Sequence, residues 1–113
     1  MKYLLFFLWF VTDVALACQG MTAAGLQEQL RKEAAEQLVF FASWCASCKK
    51  HLTPDQVAGS YFIAVFDEEA AARKAFTAFL GESNLGRCVF DQDGSIAAAY
   101  GVKSVPVVRS LKP

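Results

Sequence analysis

Short apolar runs alternate with amphipathic stretches along this chain, and the alternation predicts its elements. Leu38-Val39-Phe40-Phe41-Ala42 and Tyr61-Phe62-Ile63-Ala64-Val65-Phe66 are continuous apolar segments of strand length, the pattern of strands buried on both faces. Thr22 to Gln37 reads as helix, with Leu26 and Leu30 spaced i, i+4 among Glu28, Arg31, Lys32 and Glu36. Ala72, Phe76, Phe79 and Leu80 form the stripe of a second helix, which Asp67 would cap at its start and Gly81 would stop. A shorter helix is expected to begin at Cys45 and end near Leu52, because Pro54 resists continuation. Cys88-Val89-Phe90 is a strand fragment, Asp91 to Gly94 a turn, Ala97 to Tyr100 a helical turn, and Val105-Pro106-Val107-Val108 opens a last strand. Strands alternating with helices argue for an α/β domain with a partly parallel sheet.

The first residues follow a different logic. Lys2 is the only early charge, Tyr3 to Val11 is unbroken apolar sequence, and Ala15-Leu16-Ala17 is a small-x-small pattern. Together these read as a signal peptide over residues 1–17, with a buried core element as the alternative. Asp13 leaves the run short of the roughly 20 apolar residues a spanning helix needs. The expected organisation is then a leader over 1–17, an N-terminal helical segment over 18–37 and the main domain over 38–113. Cleavage after Ala17 would put Cys18 first, where it resembles the lipid-attachment cysteine of bacterial lipoproteins. A free N-terminal thiol is the other reading of Cys18. Export to a bacterial periplasm or cell envelope follows from this segment, with or without a lipid anchor.

The 113 residues suffice for one domain. Apolar residues make up 55%, partly through the leader, while 11 basic residues balance 11 acidic ones. That balance gives no electrostatic reason to expect nucleic acid as a partner.

The candidate chemistry lies in Trp44-Cys45-Ala46-Ser47-Cys48. A Cys-x-x-Cys pair can be half of a zinc site, but the remaining candidate ligands are Cys18, Cys88 and the single His51, with no second pair. As a structural staple it would close only a tiny loop. Dithiol redox chemistry suits it better. A strand runs into Trp44, and a thiol at a helix start meets unpaired backbone N–H groups that favour thiolate, the nucleophile of disulfide exchange. Ala46 and Ser47 carry no charge, so an extreme oxidant is not indicated.

Three segments then resemble the thioredoxin-like superfamily. They are Phe40-Phe41-Ala42-Ser43-Trp44-Cys45-Ala46-Ser47-Cys48-Lys49-Lys50, Phe90-Asp91-Gln92-Asp93-Gly94, and Tyr100-Gly101-Val102-Lys103-Ser104-Val105-Pro106. Within it, the chain looks nearest to exported TlpA/ResA-type thiol reductases linked to cytochrome c maturation. The resemblance implies a thioredoxin-like α/β fold, with Cys45 attacking and Cys48 resolving. It makes Pro106 a cis-proline, with the Val105 backbone beside it for an extended substrate and Trp44 in support. It implies no metal and no organic cofactor. Its partners would be disulfide-containing substrates and a redox partner protein.

The chain also departs from the pattern. Val39 occupies the strand where thioredoxins carry a buried acid. His51 replaces an acidic residue common in the reductase branch, and reads either as a proton relay or as a solvent-facing side chain. The sequence stops at Pro113, before the antiparallel strand and closing helix that such domains continue with. Val107 to Leu111 would then form an exposed edge open to self-association. A partner-dependent or non-catalytic module is accordingly the alternative to a reductase of substrate disulfides. Cys88 reads as a small buried hydrophobe, and a Cys18–Cys88 disulfide, open to an oxidising compartment, is supported by no spacing rule.

Overall fold

The computed structural model describes residues 18–111, so the leader expected over 1–17 lies outside the described residues. β1 (Gln19–Met21) leads into α1 (Ala23–Lys32), and β2 (Gln37–Phe41) runs into a 3₁₀ helix (Ala46–His51) and a single helical turn, α2 (Pro54–Val57). β3 (Ser60–Ala64) precedes α3 (Glu69–Leu80) and a second 3₁₀ helix (Glu82–Arg87). β4 (Cys88–Asp91), α4 (Ser95–Ala99) and β5 (Val107–Ser110) complete the described elements.

The strands form one sheet in the order β1-β4-β3-β2-β5. β1, β4, β3 and β2 are mutually parallel, and β5 joins β2 antiparallel at one edge, with Val39 opposite Val108. The Val105–Pro106 peptide is cis at the entrance to β5. A parallel sheet with a Cys-x-x-Cys segment after an inner strand, and a cis-proline loop leading to an antiparallel strand, is the thioredoxin-like arrangement that the sequence resemblance implies.

Side-chain alternation divides the core into two layers. Val39 and Phe41 of β2, Phe62 and Ala64 of β3 and Cys88 of β4 face one side, where Ala72, Phe76 and Leu80 of α3 cover them together with Cys45 and Cys48. Phe76 meets the ring of Phe62 edge-on at 5.4 Å. Leu38, Phe40, Tyr61, Ile63, Val65 and Val89 face the other side under Leu26 of α1 and Ile96 of α4. Burial on both faces explains why β2 and β3 read as apolar runs rather than alternating patterns.

Local chemistry sets the element ends, and it departs from the sequence expectations at several points. Thr22 is extended and accepts the Gly25 N–H, so it caps α1. The helix stops at Lys32 rather than reaching Gln37, because Glu33 turns extended and the chain must rise to start β2. β3 ends at Ala64, two residues before the end of its apolar run. Glu68, not Asp67, is the capping residue of α3, for a reason that belongs to the site below. Asp91, buried at the end of β4, accepts the N–H groups of Ile96 and Ala97 at 3.0 Å each and anchors the start of α4. Gly94 turns the chain between them at φ +80°, a conformation that suits glycine.

The structure also pairs Cys18 with Cys88 in a disulfide, across a sequence separation of 70 and a Cα–Cα distance of 4.3 Å. This corrects two readings. The Cys18 sulfur, already bonded and fully buried, has no valence left for a lipid thioether. Cys88 is more than a small hydrophobe, since it ties the segment entering β1 to the start of β4.

Candidate active site

β2 delivers the chain to the site. Ala42 is buried, the Cys45 N–H returns to the Ala42 carbonyl at 3.1 Å, and the Cys48 N–H bonds the Cys45 carbonyl at 3.2 Å. These two tight turns bring Cys45 and Cys48 to a Cα–Cα distance of 5.4 Å, and their sulfurs are joined as a disulfide. The expected helix follows, over Ala46–His51, as a 3₁₀ helix six residues long, and Lys49, Lys50 and His51 fill its last turn. Its smaller, poorer hydrogen-bond array presents a weaker dipole to Cys45 than the sequence argument assumed.

The two sulfurs are not equivalent. Cys45 keeps 9% of its surface exposed and Cys48 only 1%. An incoming sulfur can therefore reach Cys45, while Cys48 is placed to attack it from beneath. Ser47 Oγ lies 3.6 Å from Cys45 Sγ. On reduction its hydroxyl can donate to the Cys45 thiolate, favouring the charged form.

Residues on the β3–α3 connection hold the approach to Cys45. The Asp67 carboxylate accepts the Ser43 N–H at 2.6 Å and the Ser43 hydroxyl at 2.8 Å. One residue on, the Trp44 indole Nε1–H donates to the Phe66 carbonyl at 2.9 Å. Two consecutive residues of one loop thus clasp two consecutive residues of the other. This is why Asp67 does not serve as the side-chain cap of α3: its oxygens are turned to Ser43 and to the Glu68 N–H. Sequence reasoning missed Asp67 as a site residue, because an Asp before an acidic helix start looks like a cap and its partner lies 24 positions upstream.

The other expected site residues fall as follows. Trp44 is 63% exposed beside Cys45. Val105 packs against the core layer that holds both cysteines, and the cis Val105–Pro106 bond lies in the loop just before β5. His51 is half-buried at the end of the 3₁₀ helix, and among the described residues no hydrogen bond links it to either sulfur.

A second polar cluster lies away from the cysteine pair. The Tyr61 hydroxyl donates a short hydrogen bond to the Glu33 carboxylate, and Gln29 donates to both. The hydrogen bond from Tyr61, then that from Gln29, holds the Glu33 carboxyl below its usual range. Burial first, and the Glu33 bond second, push the Tyr61 phenol up. Arg87 stacks over the Tyr61 ring at 5.4 Å. Gln29, Glu33 and Tyr61 border a cavity of about 170 Å³ that Cys88 also lines.

No protein-family model matches the chain, and no curated protein matches it. Among solved structures, that of MTB DsbF in its mixed oxidized and reduced forms is similar at 26% identity, with a TM-score of 0.49. The likeness covers 64% of this chain and 57% of that one, so it spans little more than half of the other protein's length.

Proposed function

We propose that the protein is an exported thiol–disulfide oxidoreductase that reduces disulfides in other proteins. The observation that carries the reading is the unequal exposure of a bonded Cys-x-x-Cys pair at the end of an inner parallel strand. In the dithiol form the Cys45 thiolate attacks a substrate disulfide. A bond forms between Cys45 Sγ and one substrate sulfur, the substrate S–S bond breaks, and the departing thiolate takes a proton from solvent. The Cys48 thiolate then attacks Cys45 Sγ, forms the Cys45–Cys48 disulfide and releases the second substrate thiol. Two electrons pass to the substrate, and a partner dithiol restores the enzyme by the same exchange in reverse.

The reducing direction draws on the groups between the cysteines, a methyl and a hydroxyl, neither of which carries a charge to hold Cys45 strongly in the thiolate form. Export draws on the apolar leader pattern and on the Cys18–Cys88 disulfide, a bond that persists in oxidising compartments. Among the described residues no helix is long and apolar enough to cross a membrane.

Replacing Cys45 with serine is expected to abolish disulfide exchange, and replacing Cys48 with serine to trap mixed disulfides with substrate. Full reductase activity in Cys45→Ser would overturn the mechanism.

A further inference from the structure

Glu33, Tyr61 and Gln29 commit every side-chain donor they have to one another. The Tyr61 O–H goes to Glu33 Oε2, and the Gln29 amide nitrogen donates to Glu33 Oε2 at 3.0 Å and to the Tyr61 oxygen at 3.4 Å. A phenol has one donor, a primary amide two and a carboxylate none, so the cluster has only acceptors left to offer. Glu33 Oε1 and Gln29 Oε1 take no hydrogen bond among the described residues.

Charge points the same way. The bonds from Tyr61 and Gln29 favour the anionic form of Glu33. The ion pairs among the described residues join Arg31 to Glu28 and Arg73 to Glu69, so Glu33 takes part in neither. Glu33 also ends α1, where unpaired helix carbonyls favour a cation. Arg87 is engaged elsewhere: its guanidinium lies over the Tyr61 ring, and Nη1 donates to the Ser60 carbonyl at 3.4 Å.

The three residues border the cavity of about 170 Å³, whose walls also include Gln19 and the apolar side chains of Met21 and Val89. A cavity of about 150 Å³ holds a benzene molecule, so this one has room for about six non-hydrogen atoms. It lies at the opposite pole of the sheet from the cysteine pair. Gln19 begins β1 and Tyr61 is near the start of β3, whereas Cys45 follows the end of β2, which runs parallel to β3.

We infer that this cavity binds a primary ammonium carried on a short apolar stem, either a free alkylamine or the side chain of a lysine. The ammonium donates to the Glu33 and Gln29 oxygens, and the stem lies along Met21 and Val89. An ammonium brings three donors and no acceptor, the complement of this wall. An alcohol of the same length brings one donor and no charge, and a carboxylate meets like charge. The inference is independent of the exchange function proposed above.

The test follows amide NMR signals of the full-length protein at neutral pH and constant ionic strength during titration with pentylammonium, pentanol, pentanoate and Nα-acetyl-lysine methylamide. Pentylammonium is expected to shift the Gln29 side-chain amide and Val89 saturably. It should bind about tenfold more tightly than pentanol, the factor that one charge-assisted hydrogen bond supplies. Pentanoate is expected to leave those signals in place. Glu33→Gln, at an exposed position, keeps the shape of the side chain and is expected to erase the preference for the ammonium. Binding of the lysine derivative as well as pentylammonium would assign the site to a lysine presented by another chain. Its exclusion would assign the site to a free amine, and either result supports the inference. Absence of saturable binding by both amines, equal affinity for pentylammonium and pentanol, shifts confined to residues outside the cavity, or an unaltered preference in Glu33→Gln would overturn it.

Discussion

Replacing Asp67 with alanine removes both acceptors for Ser43 in one step, and the structure sets the size of the effect. The lost bonds are those to the Ser43 N–H at 2.6 Å and to its hydroxyl at 2.8 Å, together with the exposed one to the Glu68 N–H, for which water substitutes. Hydrogen bonds to a charged group contribute roughly 1.5–3 kcal/mol each when water cannot substitute. Ser43 and Asp67 are only half-buried, so water recovers part of that. A net loss of about 2 kcal/mol follows, or roughly 10 °C in Tm for a domain near 100 residues. Asp67→Asn keeps one acceptor oxygen and is expected to lose about half as much. Ser43→Ala deletes only the hydroxyl bond, and in the Asp67→Ala background it should cost almost nothing, since its partner is already gone. Urea denaturation of the oxidised proteins measures all four differences. Asp67→Ala within about 0.5 kcal/mol of wild type, the range of a neutral surface change, would refute the clasp. Full additivity of the two alanine substitutions would refute it as well.

The Cys18–Cys88 bond closes a loop of sequence separation 70, so in the chain-entropy description its removal costs about 4 kcal/mol. Guanidinium denaturation of the Cys18→Ala, Cys88→Ala double variant should show that loss, and an unchanged midpoint would argue against the bond. Glu33 is held below its ordinary value chiefly by the Tyr61 hydroxyl, so this bond contributes stability above the unfolded carboxyl pKa and loses it as pH falls through the lower folded one. Tyr61→Phe should therefore flatten the fall in stability on the acid side of the ordinary glutamate range. Parallel pH profiles for wild type and variant would contradict the assignment.

What the sequence reveals here is what depends on periodicity and on near neighbours. Val39 and Phe41, with Phe62 and Ala64, announce inner strands because nothing polar interrupts them. The Ala72–Phe76–Leu80 stripe announces α3 because its spacing is helical, and Gly81 ends it where expected. Cys45 and Cys48 are legible because three residues of separation define their geometry. Long-range pairings leave no such trace. Cys18 and Cys88 meet because β1 lies beside β4, a fact of topology that neither residue's surroundings encode. Asp67 carries a misleading local signal, since the acids after it suit a helix start while its oxygens are committed to a loop from another strand. Glu33 to Glu36 shows the same limit at an element's end. Their composition suits a helix, but the connection to β2 needs extended chain.

The central claim is that Cys45 and Cys48 form a reversible redox couple within an intact fold. Its most direct test equilibrates the full-length protein in graded thiol–disulfide buffers, blocks free thiols by alkylation, and locates the labels by mass spectrometry. The account predicts one reversible two-electron transition confined to Cys45 and Cys48, with the buried Cys18–Cys88 bond unlabelled throughout it. Labels appearing on all four cysteines together, or a Cys45–Cys48 bond that does not re-form when the buffer is returned to oxidising conditions, would contradict it.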